Sequence, residues 1–192
     1  MIFTSDNGSP GRAGDAHLHG DDFQVTGSVI TMFHHNPNAP LRGMKADIWE
    51  GGHRVPFVVS WPGNTPENTT SDEPICAVDI MASIGRILDY NIPHNAAEDS
   101  WDISGLILGK KVGTNAKQEP VREALVHHSF GGYFAIRKGK WKMIPQLGSG
   151  GWTEPVRVNN EDSEIKGQLY DMEDDPEENN NLWQKHPEVI EE

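Results

Sequence analysis

Asp6 and Asn7 follow the apolar run Met1-Ile2-Phe3 after only Thr4-Ser5. A carboxylate and an amide carbonyl are hard oxygen donors, suited to Ca²⁺ or Mg²⁺ rather than to thiophilic metals. The competing reading is a plain turn, because Asn7-Gly8 is also a strong hairpin signal. Lys45 follows in the stretch Pro40-Leu41-Arg42-Gly43-Met44-Lys45. Its ammonium is a compact charge able to hold a sulfate or phosphate oxygen. A single lysine is ordinarily solvated surface. Here Glu50-Gly51-Gly52 lies just beyond it, and glycine backbone can approach a ligand closely. Arg42 and Arg54 could contact an anion or serve as structural partners of Glu50 and Asp47, and the structural role is the one expected.

Other polar groups are weaker candidates. His127-His128 lies near the end of a strand-like run, and the alternation of a strand sends one of the two away from the core. Either could line a substrate pocket. Trp152 closes Gly148-Ser149-Gly150-Gly151, which lacks the lysine of a phosphate-binding loop. A flexible loop presenting Trp152 to a sugar or aromatic group is expected instead. Asp15, His17, His19, Asp21 and Asp22 superficially resemble a zinc site, but a solvated rim loop is the simpler reading. His34-His35 is expected at the surface. Cys76 is the sole cysteine, which excludes an intrachain disulfide and a thiolate cluster. Its apolar setting predicts a buried, inert thiol.

The elements that must position these groups are short. Residues 1–5 read as a buried strand presenting Asp6-Asn7 at its C-terminal end, where open α/β sheets bind ligands. Residues 8–44 form a long irregular stretch. Val55-Pro56-Phe57-Val58-Val59-Ser60-Trp61 predicts a second strand, and its near-continuous apolarity suits one covered on both faces. Ile80, Ile84, Ile87 and Leu88 recur at helical spacing between Asp79 and Tyr90, with Asn91 and Pro93 as the stop. Beyond residue 120 the texture changes. Ala124-Leu125-Val126-His127-His128, Tyr133 to Arg137 and Trp141 to Ile144 are strand candidates separated by glycine turns. A fourth begins at Gln168. Leu182 to Glu192 reads as a closing helix in which Pro187 can start a turn. The pattern predicts part of a mainly parallel α/β core over residues 1–112, and a small antiparallel sheet with a terminal helix over residues 113–192.

Composition narrows the partners. The 192 residues carry a net charge of −13, with 20 glycines and 13 prolines. That balance argues against nucleic acid or an anionic membrane. The acids concentrate in residues 171–192, which hold nine of them against one lysine, so the remainder can still receive an anion. No apolar run is long enough for a membrane span. No signal peptide opens the sequence, and the abrupt first strand predicts sequence upstream of it.

Taken together, the blocks resemble the arylsulfatase family in order. They are Phe3-Thr4-Ser5-Asp6-Asn7-Gly8, Leu41-Arg42-Gly43-Met44-Lys45, Glu50-Gly51-Gly52-His53-Arg54-Val55-Pro56, Trp61-Pro62-Gly63 and Cys76 to Ile84. Phe134 to Lys142 and Leu169-Tyr170-Asp171-Met172 are similar to the family's C-terminal subdomain. The resemblance implies an alkaline-phosphatase-like α/β core followed by a small antiparallel subdomain. It implies hydrolysis of sulfate esters, with Asp6 and Asn7 as two ligands of calcium and Lys45 on the sulfate and its leaving oxygen. It also implies a sulfated small molecule or glycan as substrate, and a periplasmic or secreted setting. The family's nucleophile is a formylglycine made in a Cys/Ser-x-Pro-x-Arg motif, which these residues do not contain; Cys76 is followed by Ala77-Val78-Asp79. Two ligands cannot satisfy a calcium ion that takes six to eight oxygens. The chain alone is therefore expected to be inactive, its site completed by the missing N-terminal half. The alternatives are a non-catalytic sulfate- or glycan-binding module, and a phosphate-ester hydrolase on the same superfamily core.

Overall fold

The computed structural model describes residues 1–10, 34–110, 120–159 and 163–192. The cluster of Asp15, His17, His19, Asp21 and Asp22 lies outside the described residues. Two compact units interleave along the chain: Met1–Asp6 with Pro56–Leu125, and Asn7–Val55 with Val126–Glu192.

In the first unit, β1 (Ile2–Thr4) pairs with β2 (Phe57–Val59). The pair is antiparallel, with Ile2 opposite Val59 and Thr4 opposite Phe57. Among the described residues of this unit no parallel neighbour joins them, which corrects the expectation of a mainly parallel sheet here. The strands are not buried either: Phe3 is 62% and Val58 54% exposed. Apolar strands are buried only where layers cover both faces. In this unit the helix α1 (Asp79–Ile87) sets Ile80, Ile84 and Ile87 against Ile2, Val59 and Trp61 around a cleft of about 200 Å³ that Ile107 also lines. The helix stops before Tyr90, with Asp89 in the left-handed region at φ 53°.

Asp79 organises the first turn of α1. Its Oδ2 accepts the Cys76 N–H at 2.7 Å, its Oδ1 accepts the Trp101 N–H at 3.0 Å, and it pairs with the Arg122 guanidinium. Ser83 donates to the Asp79 carbonyl at 2.6 Å and accepts the Ile103 N–H at 2.9 Å. Those bonds tie α1 to the short helix α2 (Ser104–Ile107). Cys76 is half-buried and unpaired as a thiol, less enclosed than its apolar neighbours suggest.

The second unit carries a four-stranded sheet. Its order is β3 (Ala124–His128), β4 (Phe134–Lys138), β5 (Trp141–Ile144) and β6 (Gln168–Asp171). Lys138 faces Trp141 across a two-residue Gly139-Lys140 hairpin, with Gly139 at φ 54°, the geometry that favours glycine in such turns. β5 and β6 are also antiparallel, Met143 opposite Leu169. Ile48, Trp49, Ala135, Ile144, Tyr170 and Met172 form the core. The terminal helix is shorter than the sequence suggests. It runs over Pro187–Glu191 with the proline in its first turn, where a missing N–H costs nothing. The protein is thus a partial α/β core with a small C-terminal antiparallel sheet.

Candidate functional site

Lys45 is exposed on a turn whose backbone is fixed from several sides. Its N–H donates to the Ser9 carbonyl at 3.0 Å. The Asn38 amide clasps Ser9 from both directions, accepting its N–H at 2.9 Å and donating to its carbonyl at 2.9 Å. The Gly8 N–H reaches the Gly52 carbonyl at 2.9 Å, and the Gly51 N–H reaches the Arg42 carbonyl at 2.7 Å. This closeness requires glycine. A Cβ on Gly8 would sit 1.7 Å from the Gly51 carbonyl oxygen, and one on Gly51 would sit 2.3 Å from that of Gly43. The segment bearing Asn7 is thereby held beside the Lys45 turn.

Asp47 completes the turn. It is 0% exposed. Its Oδ2 accepts the Met44 N–H at 2.9 Å and the Thr153 hydroxyl, while Oδ1 accepts the Trp152 and Thr153 N–H groups at 2.7 and 3.0 Å. A buried carboxylate is tolerated only when so satisfied. Between Lys45 and Asp47, Ala46 is held at φ 82°, a left-handed conformation that costs a non-glycine residue about 1 kcal/mol or more.

Beneath the turn lies a buried charge cluster. β6 is followed by Glu178, and a short helix over Glu50–His53 starts at Glu50. Lys142 on β5 is 0% exposed and sits 2.9 Å from Glu50 and 2.7 Å from Glu178. Glu178 Oε2 also accepts the Glu50 N–H at 2.6 Å. Burial pushes the Glu178 carboxyl above its ordinary range despite Lys142. Burial acts the same way on Glu50, but attraction and hydrogen bonding from Lys142 outweigh it and hold that carboxyl low. Arg42 stacks 3.7 Å over Trp49 and donates to the Tyr170 hydroxyl at 3.1 Å and the Glu178 carbonyl at 2.9 Å. Its role is structural, though its partners are not the expected Glu50 and Asp47. Arg54 does approach Glu50, at 3.9 Å.

His127 and His128 point to opposite faces of β3. His128 is exposed, its Nδ1 2.9 Å from the Ser129 carbonyl. His127 turns inward against His53, ring centroids 4.4 Å apart. Among the described residues, neither ring nitrogen of His127 nor Nε2 of His53 has a hydrogen-bond partner. Burial, reinforced by the Lys142 charge, lowers the His53 pKa to about 4 and that of His127 to about 3. Both rings are neutral at pH 7.

Asn7, Lys45, His127, His128 and Trp152 all belong to the second unit, and Asp6 to the first. Asp6 is exposed, with the Ser5 hydroxyl 3.5 Å from its Oδ1. Among the described residues no three His, Cys, Asp or Glu side chains gather as a metal cluster. The Gly148 to Trp152 loop is pinned rather than free. Ser149 and Gly150 donate to the Pro155 and Val156 carbonyls at 2.9 Å each, and the Ser149 carbonyl accepts the Ile48 N–H at 2.9 Å. The roles of Asp47, His53 and Lys142 were not foreseen. One signal for Lys142 exists: it shares the inward face of β5 with Ile144, two residues on, so alternation places a charge in the core.

The sulfatase family model matches residues 1–90. An N-acetylgalactosamine-6-O-sulfatase from Bacteroides thetaiotaomicron is 32% identical over 195 aligned residues, covering 100% of this chain and 34% of that protein. Arylsulfatase G of Rattus norvegicus is 29% identical over 77% of this chain and 28% of its own length. A solved structure from work on the metabolism of multiple glycosaminoglycans by Bacteroides thetaiotaomicron superposes with a TM-score of 0.70 at 31% identity, over 100% of this chain and 36% of that one. A Pseudoalteromonas sulfatase shares the fold at 17% identity with a TM-score of 0.64, over 99% of this chain and 35% of that one. The chain belongs to the sulfatase family. It spans about a third of the length of the curated relatives it matches.

Proposed function

We propose that this chain supplies the leaving-group side of a sulfate-ester hydrolase site. The supporting observation is Lys45, an exposed cation on a turn locked by Asp47, Asn38 and the Gly8–Gly52 contact, in a chain whose whole length aligns with a 6-O-sulfatase. In the reaction, water cleaves the S–O bond of R–O–SO₃⁻, giving an alcohol and hydrogen sulfate. The Lys45 ammonium would neutralise a sulfate oxygen and stabilise or protonate the leaving oxygen as the bond breaks. The substrate would be a sulfated small molecule or glycan, met in a periplasmic or secreted setting.

The oxygens of Asp6 and Asn7 suit Ca²⁺, or Mg²⁺ as a second choice. They would hold the ion together with ligands from outside the described residues. Such an ion would act as a Lewis acid on the sulfate oxygens. The attacking group must come from a partner segment, because the Cys/Ser-x-Pro-x-Arg motif is not among these 192 residues. That same feature favours the second reading, a sulfate- or glycan-binding module without turnover.

The test is hydrolysis of 4-nitrophenyl sulfate in calcium, by the chain alone and with a polypeptide carrying the motif and the remaining two thirds of the fold. Turnover is expected only in the mixture, and Lys45→Ala is expected to lower it by about 10²–10³. Ordinary enzymatic rates from the chain alone would refute the part-site reading. Binding without turnover in the mixture would favour the module.

A further inference from the structure

Ala46 stands where a turn of its kind ordinarily carries glycine. The Asp47 N–H donates to the Met44 carbonyl at 3.0 Å, which closes a four-residue turn with Lys45 at its first corner and Ala46 at its second. A positive φ at the second corner alone defines a type II turn, and glycine is the residue that takes it without strain. Here alanine holds φ 82°. Such a conformation persists only where the surroundings over-determine it.

The surroundings are loops of the antiparallel sheet. Asp47 Oδ2 accepts the Met44 N–H at 2.9 Å, so Asp47 holds both polar backbone groups of Met44, one with its side chain and one with its main chain. The carboxylate also reaches the loop after β5. Its Oδ1 accepts the Trp152 and Thr153 N–H groups at 2.7 and 3.0 Å, and its Oδ2 accepts the Thr153 hydroxyl. To one side of Asp47, the Ala46 carbonyl accepts the Phe130 N–H from the loop after β3, at 2.9 Å; to the other, the Ile48 N–H donates to the Ser149 carbonyl at 2.9 Å. A Cβ on Gly151 would lie 2.4 Å from the Ala46 carbonyl oxygen, so the sheet's loops close tightly on the turn. The three residues after Lys45 are thus tied to the sheet, while Lys45 itself is left exposed. A cation that must meet one particular oxygen needs such a base, because small misplacements of a reacting group are costly.

We propose that Asp47 is the positioning residue of Lys45, through which the loops of the antiparallel sheet hold the strained turn that aims the cation at a sulfate ester. The sheet is thereby the backing of the site. This inference rests on the reading of Lys45 as the sulfate contact.

Asp47→Asn keeps the shape of the side chain, but whichever way its amide lies it sets an NH₂ group against a backbone N–H. Titration of the folded chain with sodium sulfate, read at the Lys45 side-chain methylenes by NMR, should give a dissociation constant roughly tenfold higher in Asp47→Asn. Thr153→Val, which removes one hydroxyl donor, should raise it about threefold. Adding Ala46→Gly should restore most of the parent affinity to both, since glycine takes a positive φ without the clamp. Before any ligand is added, the Ala46 ¹³C shifts should report loss of the left-handed backbone in Asp47→Asn. Parent-like sulfate affinity in both folded variants would overturn the positioning role and leave the Lys45 reading intact. Weakened affinity that Ala46→Gly fails to restore would overturn it too, because loss of the turn would then not be the cause. If Asp47→Asn does not fold, Thr153→Val decides alone. A Lys45 that ignores sulfate in the parent chain would remove both readings.

Discussion

Replacing Lys142 by methionine removes one positive charge and leaves two carboxylates facing each other. Lys142 is fully buried between Glu50 and Glu178, at 2.9 and 2.7 Å, and the Glu178 side chain is itself 0% exposed. Breaking a buried pair from one side costs about 3–5 kcal/mol, because the orphaned charge stays desolvated. Here two carboxylates are orphaned, so the upper end applies. Set against a total stability of roughly 5–15 kcal/mol, the loss is severe. Urea unfolding followed by circular dichroism at pH 7 should show the midpoint of Lys142→Met falling with little change in slope. The contribution of Glu50 to the pH dependence should reverse sign as well. Without the cation, both carboxyls would have folded-state pKa values above their unfolded ones, so the folded chain would take up protons and gain stability as pH falls from 7 to 5. Adding Glu50→Gln and Glu178→Gln should restore most of the loss. A cost below about 1 kcal/mol for Lys142→Met would refute the argument, since it would mean that the cluster is hydrated.

The histidine pair predicts an opposite slope in the parent protein. Folded-state pKa values of about 4 for His53 and about 3 for His127 lie below the ordinary value of 6.5. The unfolded chain therefore binds more protons across this window, and stability should fall as pH drops from 6.5 to 4, by roughly 1.4 kcal/mol per pH unit for each ring. His53→Leu with His127→Leu should flatten that slope in urea titrations at pH 4.5, 5.5 and 6.5. Gly51→Ala drives a Cβ to 2.3 Å from the Gly43 carbonyl oxygen; a backbone clash of this kind should cost about 3 kcal/mol or more, read from the same unfolding curves. Ala46→Gly should do the reverse, stabilising by roughly 1 kcal/mol through release of the φ 82° conformation, as a rise in the thermal midpoint.

Local patterning made the antiparallel sheet legible. The Gly139-Lys140 hairpin and the alternation through β4, β5 and β6 depend on near neighbours, and so does the helix beginning at Asp79. The exposure of β1 and β2 is not legible in the sequence, for a different reason. Apolar composition tells that a strand can be covered, not what covers it, and Phe3 and Val58 remain open in the described unit. The site divides similarly. Lys45 and its glycine turn stand out in sequence because they are contiguous. Asp47 meets Trp152 and Thr153 across more than a hundred residues, and Lys142 meets Glu50 across 92. Such pairings follow from tertiary packing, to which periodicity is blind. The glycines of the Trp152 loop suggest flexibility in sequence, but they are what allow its backbone to lie against Ala46.

Selective observation of the lysine side-chain methylenes by NMR during a sulfate titration tests the central claim most directly, with the Lys45 signal assigned by its absence in Lys45→Arg. The account predicts that Lys45 shifts saturably and that the response disappears in Lys45→Ala. A titration in which Lys45 does not move, or moves no more than the surface lysines Lys138 and Lys185, would contradict it.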